Sequence, residues 1–171
     1  MPEALAGRAA FDACVAMVSA FAARGLAGVT ISPGSRSTPV VLAFARQARV
    51  PVRVVLDERA AAFTALGLAK ATGRAAACVC TSGTAAANFF PAVVEAFTAG
   101  IPLVVLTADR PPWLRGTGAN QTIDQRELYG RYVRAFYDTW DWTADEVLDA
   151  ALGPPAGPVQ VNLPFDEPLI P

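Results

Sequence analysis

Short apolar runs rich in β-branched residues alternate with helical patterns along this chain, and that alternation constrains its fold more than any other feature. Residues 28–32, 52–56, 76–80, 103–107 and 159–163 read as strands, with a weaker one at 135–138. In the first helix Phe11, Val15, Val18 and Ala22 recur at helical spacing, and residues 39–46, 59–71 and 84–99 read as helices between strands. A further helix, 143–152, opens on a capping box formed by Thr143 and Glu146, and residues 153–158 end it. Such alternation predicts an α/β fold: a doubly wound, mainly parallel sheet of about six strands, helices on both faces and right-handed crossovers. At 171 residues the chain reads as one domain with a sizeable core.

Composition narrows the function. Apolar residues make up 53% of the chain, and much of that is alanine, as expected where helices pack closely on a buried sheet. No apolar run is long enough to span a membrane, and the N-terminus lacks a basic stretch followed by an apolar one, so the expected location is cytoplasmic. The net charge of −1, without a basic cluster, argues against nucleic acid as a partner. Cys14, Cys78 and Cys80 fit no common zinc or redox spacing and are expected in the core. Histidine is absent, which removes the commonest general base and metal ligand. A cofactor that supplies its own base would serve such a chain.

Three strand-to-helix turns then come in series: ISPGSRSTP (31–39), LDERAAAF (56–63) and CTSGTAAAN (80–88). In an open α/β sheet, ligands bind at the C-terminal ends of the strands. Small residues in two of the turns let backbone approach a ligand, and helix N-termini offer free N–H groups. The remaining turn, 56–63, carries Glu58. By itself Glu58 is a helix N-terminal acid facing the macrodipole, a role that Asp57 could fill equally well. A first turn of SPGSRS lacks the G-x-G-x-x-G of a dinucleotide-binding fold, so that reading is rejected. The stretch 109–127, DRPPWLRGTGANQTIDQRE, is long, polar and rich in Pro and Gly, and leaves the sheet on the same edge as the three turns. Loops of that length in compact domains are usually functional or disordered, and the shared edge favours function.

These turns resemble the pyrimidine-binding domain of thiamine diphosphate enzymes, with Glu58 at the position of that superfamily's cofactor-activating glutamate and Thr81–Asn88 at its TSG turn. Thr84 and Ala85 stand where the commoner version has proline and a second glycine. ISPGSRSTP, LTADRPP (106–112) and GANQTIDQ (118–125), in order from about Phe11 onward, closely resemble the family of 2-succinyl-5-enolpyruvyl-6-hydroxy-3-cyclohexene-1-carboxylate synthases of menaquinone biosynthesis.

The resemblance implies that Glu58 shares a proton with the cofactor's aminopyrimidine ring, a step that a buried, apolar position would favour by raising the carboxylate pKa. Pro33 and Thr81 would help shape the pyrimidine pocket. Ser35, Arg36, Arg110, Asn120 and Gln121 would bind substrate: arginine forks suit the two carboxylates of isochorismate, and amides suit its hydroxyls. The implied activity is that of a transferase that decarboxylates 2-oxoglutarate and adds the succinyl carbanion equivalent to isochorismate, using thiamine diphosphate and Mg²⁺. The family works as a homodimer or dimer of dimers.

Members hold the diphosphate through Mg²⁺ with a Gly-Asp-Gly motif and a later asparagine. No Gly-Asp-Gly occurs in this chain, and no metal ligand is assigned to it. Residues 1–171 are accordingly expected to be the N-terminal pyrimidine-binding domain alone, without the central and diphosphate-binding domains, and inactive by themselves. Two alternatives stay open: another thiamine diphosphate lyase or synthase, and a stand-alone, non-catalytic binding or assembly domain.

Overall fold

The computed structural model describes residues 3–170. Its elements run α1 (Gly7–Ala23), β1 (Val29–Ile31), α2 (Thr38–Arg46), β2 (Val52–Val54), α3 (Glu58–Thr72), β3 (Ala76–Cys80), α4 (Thr84–Asn88), α5 (Phe90–Ala99), β4 (Leu103–Asp109), β5 (Phe136–Tyr137), α6 (Ala144–Leu152) and β6 (Pro158–Pro164). The strands form one sheet in the order β2-β1-β3-β4-β6-β5, and every pairing is parallel.

Strand alternation sorts the core into two layers. Val29, Ile31, Ala77, Val79, Val104, Leu106, Val159, Val161 and Leu163 face α1, α2 and α6. Ala76, Cys78, Cys80, Leu103 and Val105 face α3, α4 and α5. Alanine dominates the second layer, with Ala61, Ala62, Ala65 and Ala69 of α3 all buried. Small side chains bring this helix close to the sheet. All three cysteines are free and buried, as their spacing implied.

The helix ends follow local chemistry. Thr143 and Glu146 form the reciprocal capping box read from the sequence. Helix α3 ends on Gly73 and α5 on Gly100, both left-handed at φ 66° and 65°, a conformation that glycine adopts without a Cβ penalty. The single helix expected over 84–99 is two helices meeting at Phe89. Pro91 explains the break, because it has no N–H to donate to the carbonyl four residues back.

Two features of this topology position a site. The chain leaves β1 towards β2 and returns to β3 on the other side of β1, so the order reverses between β1 and β3, where α/β sheets open a crevice at their C-terminal ends. In addition, β2 is an edge strand whose residues are all exposed. Val54 is 63% exposed, Leu56 80% and Phe63 of α3 42%, which leaves an apolar stripe along this edge.

Candidate functional site

The turns after β1 and β3 meet at the switch point. A Cβ placed on Gly34 would come within 2.4 Å of Thr81 Cβ, so the SPG turn lies directly on the TSG turn. Thr81 is buried, and its hydroxyl has no hydrogen-bond partner among the described residues. Pro33 and Ser35 are exposed on the outer side of the same turn. Ser32, one residue earlier, ties this turn to the start of the 56–63 turn by donating its hydroxyl to the Val55 carbonyl at 2.9 Å.

Glu58 is the first residue of α3. The capping role falls to Asp57, whose carboxylate accepts the Ala60 N–H at 2.8 Å. Glu58 is left out of that cap, and no ion pair among the described residues involves it. Its charge reaches the end of β3: the Cys80 thiol is pushed up first by burial, then by Cys78 and by Glu58. The expected burial of Glu58 is not found, for the residue is half-buried in this chain. The reason is its place on the sheet, since β2 is the outermost strand and, among the described residues, no strand pairs beyond it.

Arg36, expected among the substrate-binding residues, has its guanidinium engaged within the chain. It is buried and donates to the Phe165 carbonyl at 3.0 Å and to Glu167 at 3.2 Å, so it anchors the segment after β6. Burial and then the charge of Arg110 lower its pKa, while Glu167 and Asp166 oppose them. Two guanidinium groups thus lie within electrostatic reach of each other. Arg110 is half-buried and donates from one terminal nitrogen to the Asn120 carbonyl at 3.0 Å, and its buried Nε has no partner among the described residues. Buried donors normally find acceptors, so this one is suited to an anionic ligand.

The 118–125 segment lies over the TSG turn. Gln121, at φ 54°, donates its amide to the Ser82 carbonyl at 3.1 Å and accepts the Ser82 hydroxyl on its own carbonyl at 3.0 Å. Asn120 is exposed, and its carbonyl serves Arg110 and Thr122. The structure thus brings Pro33, Thr81, Arg110, Asn120 and Gln121 to the same edge, with Glu58 at its β2 end.

Beneath them runs a polar network that the sequence reading missed. Thr107 and Asp109 of β4 and Gln160 and Asn162 of β6 alternate onto the face that carries Leu103 and Val105. Asn162 donates to Asp109 at 2.8 Å and to Asp138 at 3.1 Å and accepts from Thr107 at 2.9 Å. Arg115 bridges Asp109 and Asp138 at 2.9 Å each. Burial raises the pKa of Asp109 against the pull of Asn162 and Arg115. For Arg115 burial works against the charge, yet Asp138 and Asp109 outweigh it and raise the pKa. A polar alternation, T-x-D and Q-x-N, inside two strands otherwise apolar was the signal available. Among the described residues, no group of three or more His, Cys, Asp or Glu side chains could hold a metal ion, and no helix is long and apolar enough to cross a membrane.

Comparison with known proteins agrees with this geometry. The family described as thiamine pyrophosphate enzyme, N-terminal TPP binding domain, matches residues 12–128. The chain is 54% identical to a 2-succinyl-5-enolpyruvyl-6-hydroxy-3-cyclohexene-1-carboxylate synthase of Chloroflexus aurantiacus, over 91% of this chain and 28% of that protein. Synthases of the same name from Geobacillus kaustophilus and Thermobifida fusca are 52% and 50% identical, over 91% of this chain and 29% and 30% of theirs. The chain spans less than a third of the length of these curated relatives. With a six-stranded parallel sheet, a glutamate at the head of α3 and a family match over most of its length, the chain belongs to the thiamine pyrophosphate enzymes, as an N-terminal TPP binding domain.

Proposed function

We propose that this chain forms the pyrimidine-binding wall of a synthase that decarboxylates 2-oxoglutarate and adds the resulting succinyl unit to isochorismate, in menaquinone biosynthesis. The observation that carries this reading is Glu58: a carboxylate at a helix N-terminus, relieved of capping by Asp57, beside the switch-point turns of the sheet. Its support comes from the synthases to which the chain is half identical.

The residues present suit the pyrimidine end of thiamine diphosphate. Thr81 has a buried hydroxyl without a partner among the described residues, and Gly34, which has no side chain, packs directly on the Thr81 side chain. When bound, the cofactor supplies the electron sink that makes decarboxylation of a 2-oxo acid possible. Glu58 holds a proton against a ring nitrogen of the aminopyrimidine. Pro33 and Thr81 shape the wall that the ring lies on. Arg110 offers its free Nε to a carboxylate of isochorismate, with the Arg36 charge behind it adding attraction. Asn120, Gln121 and Ser35 present polar groups at the rim. Mg²⁺ and the diphosphate belong to a part of the protein beyond residues 1–171, so this chain alone does not turn over. The apolar stripe of Val52, Val54, Leu56 and Phe63 is the surface that a neighbouring domain or subunit covers in a homodimer or dimer of dimers.

The test is Glu58→Gln in the whole protein, followed by proton exchange at the thiazolium carbon. The amide is nearly isosteric but cannot share an ionisable proton. Exchange and kcat are expected to fall by about a hundredfold or more. Exchange at the wild-type rate would remove Glu58 from its role.

A further inference from the structure

Gln125 is the fully buried hub of the polar network, 0% exposed, and its side-chain amide has every hydrogen committed. Its Oε1 accepts the Gly83 N–H at 2.8 Å. Its Nε2 donates to the Ala108 carbonyl at 3.1 Å and to Asn162 Oδ1 at 3.0 Å. Its backbone carbonyl accepts from Gln160 Nε2 at 2.7 Å. One planar amide therefore touches the turn after β3, the end of β4 and the interior of β6.

Two of these contacts, Gly83 and Ala108, lie two residues from a proposed functional group. Gly83 follows Thr81 and Ser82 and sits at φ 83°, a left-handed conformation that frees its N–H to point at Gln125. Ala108 precedes Asp109, whose side chain accepts the Arg110 N–H at 2.7 Å. Gln125 itself closes the segment that carries Asn120 and Gln121, and Gln121 clamps the neighbouring residue, Ser82. The 118–125 segment thus grips the TSG turn at two consecutive residues, Ser82 by Gln121 and Gly83 by Gln125. Only the second grip is buried and joined to the sheet.

We propose that Gln125 is a positioning residue that sets the spacing between the 81–84 turn and the Arg110–Gln121 rim, and so aligns the pyrimidine wall with the substrate groups. This rests on the crevice reading given above, but the geometry of the grip does not. Gln125 touches neither cofactor nor substrate; it acts through Gly83, Ala108 and Asn162. A glutamine is required because the site needs one acceptor and two donors in a plane. Ionised glutamate keeps the acceptor for Gly83 and loses both donors, while leucine loses all three contacts.

Amide hydrogen exchange in the whole protein decides the matter. In Gln125→Leu, Gly83 is expected to exchange about tenfold faster or more, while Cys78 and Val79 in β3 keep their protection. In Gln125→Glu, Gly83 should stay near its wild-type rate while Arg110 exchanges faster, because the contacts to Ala108 and Asn162 are lost and the acceptor for Gly83 remains. In kinetics, Gln125→Leu should raise KM for isochorismate and the half-saturating thiamine diphosphate concentration about tenfold, with kcat at saturation much less affected. Equal acceleration of Gly83 and of the β3 amides would make Gln125 a stability residue only and overturn the proposal. So would loss of Gly83 protection in both variants alike, or a fall in kcat with KM unchanged. If the wild type shows no thiamine diphosphate-dependent turnover, the functional reading fails, and the exchange results still decide the positioning role.

Discussion

Gly34 lies against Thr81 so closely that a Cβ on the glycine would sit 2.4 Å from Thr81 Cβ, 2.6 Å from Cγ2 and 2.8 Å from Oγ1. Two turns that are 47 positions apart in sequence thus close on each other at the point where the strand order reverses. Gly34→Ala is expected to destabilise the fold by about 1–3 kcal/mol, the usual cost of overpacking a fixed site. Denaturant unfolding checks this. Adding Thr81→Gly should recover part of the loss, and a lack of recovery would place the strain elsewhere.

The two arginines of the crevice should separate cleanly. Arg36→Ala leaves the Phe165 carbonyl and Glu167 without their donor, an expected cost of about 1–3 kcal/mol in stability. Arg110→Ala removes one contact to an exposed carbonyl, so stability should change by no more than about 0.5 kcal/mol. In the whole protein Arg110→Ala should instead weaken use of isochorismate and spare proton exchange at the thiazolium carbon. Loss of that exchange in Arg110→Ala would contradict the assignment.

Asp57 and Glu58, adjacent acids at one helix start, carry different loads. Asp57→Ala removes the N-cap of α3 and should cost about 1 kcal/mol. Glu58→Gln keeps the cap and should leave stability within about 0.5 kcal/mol of wild type. Thermal or chemical unfolding of the pair measures the split. A larger loss from Glu58→Gln than from Asp57→Ala would mean that Glu58 is a structural acid.

Alkaline pH should weaken the fold. Burial pushes the thiols of Cys14, Cys78 and Cys80 and the phenol of Tyr129 above their usual values. For such groups the unfolded chain releases its protons first, from the ordinary thiol value of 9.0 upward. The stability is therefore complete below that pH and is lost as pH rises through and beyond it. Unfolding midpoints measured between about pH 8 and pH 10.5 should fall steadily. The same burial predicts negligible labelling of the native protein by thiol reagents near neutral pH and full labelling once it is unfolded.

The alternation of strands and helices, the capping box at Thr143, the burial of the cysteines and the order of motifs along the crevice edge were all legible in the sequence. Each depends on local periodicity or on residue types whose backbone preferences are intrinsic. The break at Phe89 was legible in principle through Pro91, but the apolar run on both sides of it hid the signal. Three things were decided only by tertiary structure. The half-exposure of Glu58 follows from the edge position of β2, and strand order is a long-range choice that no local pattern encodes. The burial of Arg36 needed Phe165 and Glu167 brought alongside, about 130 residues downstream. The Gln125 network joins side chains from β4, β6, the 109–127 loop and Asp138 just after β5, and hydrogen bonds over such separations depend on the folded arrangement of strands, not on their sequence spacing. Periodicity determined which residues face inward; which of them meet was left to the packing of the sheet.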